Sequence, residues 1–233
     1  MKPVFYSAPM ILPCSSTVKE PETRAEIEQF SKRAIELWHA AALISGAEPG
    51  LLTATDKDAA RRRGLAAGRR VINDCKKGKA RILFLRALTE DGWVADRHTI
   101  SALASRVWLL EDRCGLADSY LRAVADIALQ RSAECFLCPN AMRRDQLEAV
   151  FLPGAEAAFL SANAVIRTNE FSCHRVHLDR IPDPERKLAL KSILNENRKM
   201  VELLTQRAAA QLKNAVILRD LNANTCAAVN LPI

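Results

Sequence analysis

The sequence predicts an all-α fold: a multi-helix bundle with an extended N-terminal arm and a long C-terminal helix. Only 8 of the 233 residues are glycine and 10 are proline, and aromatic residues make up 5%. Ala, Leu and Arg recur throughout, and this composition favours helices over a sandwich or barrel. Apolar residues also return every three or four positions in several segments, which is the spacing of a buried helix face.

The first 20 residues are expected to form an extended arm, because Pro3, Pro9 and Pro13 interrupt them. The same prolines break the apolar opening, and no small-residue cleavage site follows, so we do not interpret it as a signal peptide. No run approaches the roughly 18 apolar residues that cross a bilayer.

A helical domain is expected over residues 21–180. Its first helix begins at Pro21, a residue suited to the first helical position, and ends near Ile44. A second helix is predicted over 56–77, where Thr55 and Asp58 approximate a capping box.

Five more helices are predicted in this domain from apolar spacing and from the Gly, Asn, Thr and Pro residues that flank them. They cover residues 80–90, 100–113, 116–131, 142–151 and 154–168. The pair 100–113 and 116–131 has the layout of a helix-turn-helix, but Gly115 comes too late for the compact motif, so an ordinary helical hairpin is preferred.

A long C-terminal helix is predicted over 184–219, packed on the helical domain and followed by a tail over 220–233. Asp183 and Pro184 are suited to the cap and the first residue of this helix. Asn197 falls on its apolar seam, either at a surface edge or across a dimer, so a homodimer through this helix is an alternative to a monomer.

The second predicted helix separates its charged and small residues cleanly. On a wheel of roughly 100° per residue, the basic side chains occupy one arc, and Gly64 and Gly68 lie on the opposite, apolar arc. Two glycines one turn apart let another helix approach closely, so we expect a helix to pack there.

The excess positive charge of the chain is concentrated in this region. Residues 57–86 contain 11 Lys and Arg against two acids, a net charge of +9, whereas the whole chain carries +7. A solvated helix face usually interleaves acids with bases, because like charges one turn apart repel. An unneutralised basic face is typical of a surface that meets a polyanion.

We therefore expect this helix to bind the phosphate backbone of nucleic acid, as a regulatory or accessory protein. The predicted binding residues are Arg62, Arg63, Arg69, Arg70, Lys76 and Lys77. The alternatives are a helical adaptor or scaffold that docks this face on an acidic protein partner, and a merely solvated face. A membrane is not an expected partner, because the other face lacks large apolar residues.

A zinc site is the alternative to an expectation of no cofactor. Cys135 and Cys138 form the only CxxC motif, and His174 and His177 follow beside Cys173. Two thiolates and two further ligands of these types complete a tetrahedral zinc shell, whereas the competing interpretation is small buried cysteines.

No catalytic motif is recognisable, so we expect no enzymatic activity. The seven cysteines are odd in number and scattered, which is typical of reduced thiols and predicts a cytoplasmic location.

Overall fold

A computed structural model describes residues 10–15, 18, 20–46, 52–73, 78–95, 97–162 and 173–229. The fold is mixed α/β, so the predictions of an all-α fold and of a helical bundle were wrong. The chain divides into two compact units. The first contains Glu48–Arg86 and Ala95–Leu194, and the second contains Ala8–Ala47, Ala87–Val94 and Asn195–Ile233.

The first unit is built on a six-stranded sheet with the order β1-β5-β6-β7-β4-β8. Strand β6 is antiparallel to both of its neighbours, and the other pairs are parallel. The strands are β1 (Ala80–Ile82), β4 (Arg106–Glu111), β5 (Cys135–Pro139), β6 (Leu147–Leu152), β7 (Ala157–Ser161) and β8 (Cys173–His177).

Helices cover both faces of this sheet. Helices α2 (Ala54–Val71) and α4 (Ala117–Gln130) bury one face, with Leu110, Val150 and Phe159 of the sheet in the same core. The short helix α3 (Arg97–Leu103) lies on the other face, where Leu109, Phe151 and Leu160 are buried. Successive side chains of a strand alternate between faces, and here both faces are apolar.

This double burial explains why the strands were predicted as helices. A strand buried on both faces reads as a continuous apolar run, which periodicity alone does not distinguish from a buried helix. Segment 142–151 enters β6 and segment 154–168 contains β7, and both strands are largely buried. Segment 80–90 is different: it contains β1, which is exposed, and all of β2 (Arg86–Thr89), so its error comes from the apolar spacing alone.

Segment 100–113 shows the same error in its second half. It contains the end of α3 and all of β4, so neither a helical hairpin nor a helix-turn-helix forms with α4. Asn140, which was expected to cap a helix, accepts hydrogen bonds from the backbone N–H groups of Met142 (2.9 Å) and Arg143 (3.1 Å) in a turn before β6.

Four of the predicted helices are present, with shifted ends. The helix predicted over 116–131 is α4, and helix α1 runs from Pro21 to Gly46. The capping box of α2 uses Thr53 and Asp56, two residues earlier than predicted. Asp183 caps α5 (Pro184–Val229) by accepting from the N–H of Glu185 at 3.1 Å.

The second unit combines α1, the C-terminal part of α5 and the hairpin of β2 with β3 (Gly92–Ala95). Ile27 and Ala215 are buried together with Val18. The rings of Trp38 and Trp93 lie 5.3 Å apart. Within the described part of the chain, no helix has the length and hydropathy needed to cross a membrane.

Candidate functional site

Helix α2 is held against α4 by its two glycines. A Cβ atom added to Gly64 would lie 2.3 Å from the carbonyl oxygen of Tyr120 and 2.9 Å from the Cβ of Ala123. A Cβ added to Gly68 would lie 3.1 Å from the Cβ of Ile127. The predicted close helix packing at these glycines is confirmed, and it turns the opposite face of α2 towards solvent.

The solvent side of α2 carries Arg62, Arg63, Arg69 and Arg70, which we call the arginine face. All four residues are exposed. Lys76 and Lys77, which were predicted to extend the same face, lie outside the described residues.

Counting only the described residues, no carboxylate forms a salt bridge with any member of the arginine face. Arg61 differs, because its guanidinium lies 3.7 Å from the carboxylate of Asp126. The positive charge of the arginine face is therefore available to an external anion.

One cation, Arg131 at the C-terminal end of α4, adds to the charge near this face. Arg131 donates hydrogen bonds to the carbonyl oxygens of Arg69 and Ile72, where α2 ends, and places a further cation there. Burial raises the pKa of Tyr120 to about 12, although the nearby charges of Arg63 and Arg70 act in the opposite direction. The phenol therefore stays neutral beside the arginine face at physiological pH.

A groove of about 360 Å³ runs between α2 and α4, and we call it the α2–α4 groove. Ala125, Leu129, Leu137 and Leu147 form its apolar part. Its polar lining consists of Lys57, Asp58, Arg61, Ser119, Arg122 and Asp126. Three cations and two carboxylates therefore share one lining, which is suited to a group with both hydrogen-bond donors and acceptors.

The N-terminal end of α4 is already capped by a side chain from the loop between β4 and α4. Ligands of open α/β sheets bind beyond the carboxyl ends of the strands, often at a helix N-terminus. Here the carboxylate of Asp112 accepts from the backbone N–H groups of Cys114 (3.0 Å), Gly115 (2.9 Å) and Ala117 (2.6 Å). Burial raises the pKa of Asp112 despite these bonds. We assign no ligand to this helix end, because an internal carboxylate already fills it.

The predicted metal ligands do not meet. Cys135 belongs to the core beneath α2 and α4, whereas Cys138 belongs to the core on the other face of the sheet. His174 and His177 are on β8, four strand spacings from β5, or about 19 Å. Among the residues that the structure describes, no group of three or more His, Cys, Asp or Glu could hold a metal ion.

The two histidines have other partners. His177 Nδ1 lies 2.5 Å from Glu111 Oε2, and Arg175 donates to Glu111 Oε1 at 2.8 Å. Burial would raise the pKa of Glu111, but these two partners hold it below its usual value. The ring of His174 lies 5.4 Å from that of Trp108. These contacts tie β8 to β4.

The sequence interpretation missed the α2–α4 groove and the role of Asp112. The position of Asp112 depends on β4, whose segment was predicted to be helical. The groove depends on how α2 packs beside α4, β5 and β6, which no local pattern states. Three comparisons, with protein-family models, curated proteins and solved structures, found no match to this chain.

Proposed function

We propose that this chain binds nucleic acid through the arginine face of α2, as a regulatory or accessory protein of the cytoplasm. Arg62, Arg63, Arg69 and Arg70 contact phosphate oxygens and supply affinity that does not depend on base sequence. Lys76 and Lys77 follow in the sequence and are proposed as further phosphate contacts.

One observation carries the proposal: four exposed guanidinium groups share one helix face and form no salt bridge with any described carboxylate. Four like charges on one face repel one another in the unbound protein. A phosphate backbone removes this repulsion and releases its condensed counterions on binding. Guanidinium groups also match phosphate oxygens with paired hydrogen bonds, which a lysine ammonium does not do.

The backbone that carries these side chains is well supported. Thr53 Oγ1 accepts from Asp56 N at 3.2 Å, and Asp56 Oδ2 accepts from Thr53 N at 2.9 Å, which completes the capping box. Arg186 at the start of α5 donates to the same carboxylate at 3.2 Å. The cap and the glycine contacts fix the helix, so binding orders only the arginine side chains.

The test is a titration of fluorescently labelled DNA and RNA of equal length at several salt concentrations. We expect the logarithm of the binding constant to fall linearly with the logarithm of the salt concentration. Replacing the four arginines by Gln should weaken binding and reduce the magnitude of the slope by about 3 to 4, since each phosphate contact contributes roughly 0.7 to 0.9.

A charge-matched variant controls for net charge alone. Lys32, Arg33, Arg198 and Lys199 are also exposed, and replacing them by Gln removes the same total charge elsewhere. This control should keep most of the wild-type slope. Equal losses in both variants, or no binding of either nucleic acid at moderate salt, would refute the proposal. In the second case, an acidic protein partner becomes the stronger hypothesis for the arginine face.

A further inference from the structure

The α2–α4 groove lies on α2 immediately beside the arginine face. Arg61 lines the groove and Arg62 follows it directly, whereas Arg69 lies about 12 Å further along the helix axis. A nucleic-acid backbone that extends along α2 from Arg69 to Arg62 therefore reaches the groove at its Arg62 end. Its bases come within reach of the groove if they are not already paired.

We propose that the groove binds one unpaired base of a single strand, with a preference for a base that carries an exocyclic amino group, such as cytosine, over thymine. This inference rests on the proposed function and adds the form of nucleic acid that the arginine face binds. A duplex keeps its bases stacked and paired, so it reaches the arginines but not the groove.

The groove lining offers hydrogen-bond acceptors as well as donors. A phosphate or an acidic side chain would use only the cations Lys57, Arg61 and Arg122 and would leave the carboxylates of Asp58 and Asp126 without a role. A base is neutral, and its edge offers donors and acceptors side by side. The exposed part of the apolar lining, including Leu129 with 52% exposure, is suited to the flat face of a base.

Each polar group of the groove has a role towards a base. Asp58 and Asp126 accept hydrogen bonds from an exocyclic amino group, as acidic side chains do from cytosine N4. Thymine places a carbonyl oxygen at the same position and is repelled. The guanidinium groups of Arg61 and Arg122 donate to base carbonyl oxygens or stack on the ring.

The existing contacts leave Arg61 and Asp126 accessible, whereas Arg122 already donates to Asp118 Oδ2 at 2.9 Å and to the carbonyl oxygen of Asp145, so that its planar face is what it offers to a base. Arg61 and Asp126 are separated by 3.7 Å, and their side chains are 58% and 45% exposed. Such an exposed pair stabilises the fold little. A base amino group can therefore compete for Asp126 without disrupting a buried contact.

The decisive variant replaces Asp58 and Asp126 by Ala, because Asn would keep an acceptor oxygen. If the groove acts only through its charge, removing two negative charges strengthens binding of all nucleic acids. If the carboxylates accept from cytosine, the variant weakens binding of an oligo(dC) strand and still strengthens binding of a duplex. The two mechanisms predict opposite signs for the same strand.

The measurement is fluorescence anisotropy with oligo(dC), oligo(dT) and a duplex of equal length at one moderate salt concentration. The wild-type chain should prefer oligo(dC) to oligo(dT) roughly tenfold, as expected for one discriminating contact to a base edge. The Asp58→Ala and Asp126→Ala double variant should lose this preference. A control with Glu134→Gln and Glu185→Gln, both exposed, adds the same charge elsewhere and should keep it.

Thermal unfolding of each variant checks that the fold is retained. Equal wild-type affinity for the three probes, or stronger oligo(dC) binding by the groove variant, overturns the groove inference. The proposed function survives those results if the arginine variant still loses affinity. No binding of any probe by the wild-type chain removes both.

Discussion

Gly64 lies directly against the backbone of Tyr120, so that a Cβ atom at position 64 would come within 2.3 Å of the Tyr120 carbonyl oxygen. This contact joins the helix of the arginine face to the helix that lines the other side of the groove. A backbone oxygen within α4 has no freedom to rotate away, unlike the end of a flexible side chain. At this distance only the hydrogen atoms of Gly64 fit between α2 and α4, and a methyl group would not.

Gly64→Ala should lower the free energy of unfolding by about 2 kcal/mol, because overpacking a dense core costs about 1–3 kcal/mol. This loss should appear although Ala is the better helix former by about 1 kcal/mol. Gly68→Ala should cost less, since the atoms it meets belong to the Ile127 side chain.

Chemical denaturation measures both variants. Gly154→Ala is the control, because a Cβ there would meet no atom within 4 Å, and its stability should change by less than about 1 kcal/mol. A Gly64→Ala protein as stable as the wild type would show that α2 and α4 are not in this contact.

The carboxylate of Asp56 makes stability depend on pH. Its hydrogen bond from the Thr53 backbone holds the pKa below its usual value, with further help from the Thr53 hydroxyl and Arg186 and despite the opposing effect of burial. A lowered pKa in the folded state adds stability above the unfolded pKa of about 3.9, and this stability is lost as pH falls through the folded pKa.

Asp56→Ala should therefore cost about 1 kcal/mol at pH 7, the usual value of a helix cap, and less as the pH approaches 3. Unfolding curves of both proteins between pH 7 and pH 3 give the difference. Asp58→Ala, at an exposed position of the same helix, should show a smaller loss. A constant Asp56→Ala loss at every pH would contradict an ionised cap.

Arg86 and Glu148 form a buried ion pair, with 2.8 Å between Arg86 Nε and Glu148 Oε2 and only 11% and 2% of the side chains exposed. Burial raises the pKa of Glu148, although Arg86 opposes the shift. Arg86→Met removes the partner and leaves a buried charge, so we expect a loss of about 3 kcal/mol at pH 7.

The loss should shrink at acid pH. Without Arg86 the pKa of Glu148 in the folded state rises further. A carboxyl group with a raised folded-state pKa contributes its full stability below its unfolded pKa, and this stability is lost as the pH rises through the folded-state pKa. The double variant Arg86→Met with Glu148→Met should recover most of the pH 7 stability. A double variant less stable than Arg86→Met alone would show that the pair itself stabilises the fold.

Helix α2 could be predicted from the sequence because its signal is local. Its charges and glycines lie on one helix and follow the helical period, so both the exposed and the packed face are readable within 18 residues. The cap was predicted two residues too late, at Thr55 and Asp58. The observed pair, Thr53 and Asp56, has the same spacing, so the sequence did not distinguish the two.

The sheet could not be predicted in the same way. The neighbours of β4 are β7 and β8, which come about 50 and 65 residues later, and no local pattern states that pairing. The groove is equally non-local, because Asp58 and Asp126 come from helices separated by the β1 and β4 segments. A short apolar run in the sequence indicates that a segment is buried, but it does not indicate which strands pair with it.

The strand order has a consequence for how the molecule reaches its native state. Because β4 sits between two strands that are made after it, its inner edge stays unpaired until β7 (Ala157–Ser161) has been made and its outer edge until β8 (Cys173–His177) has been made. Such distant pairings give a high contact order and slow folding. Unpaired strand edges make a nascent chain prone to aggregate, so chaperones are expected to assist this protein during translation.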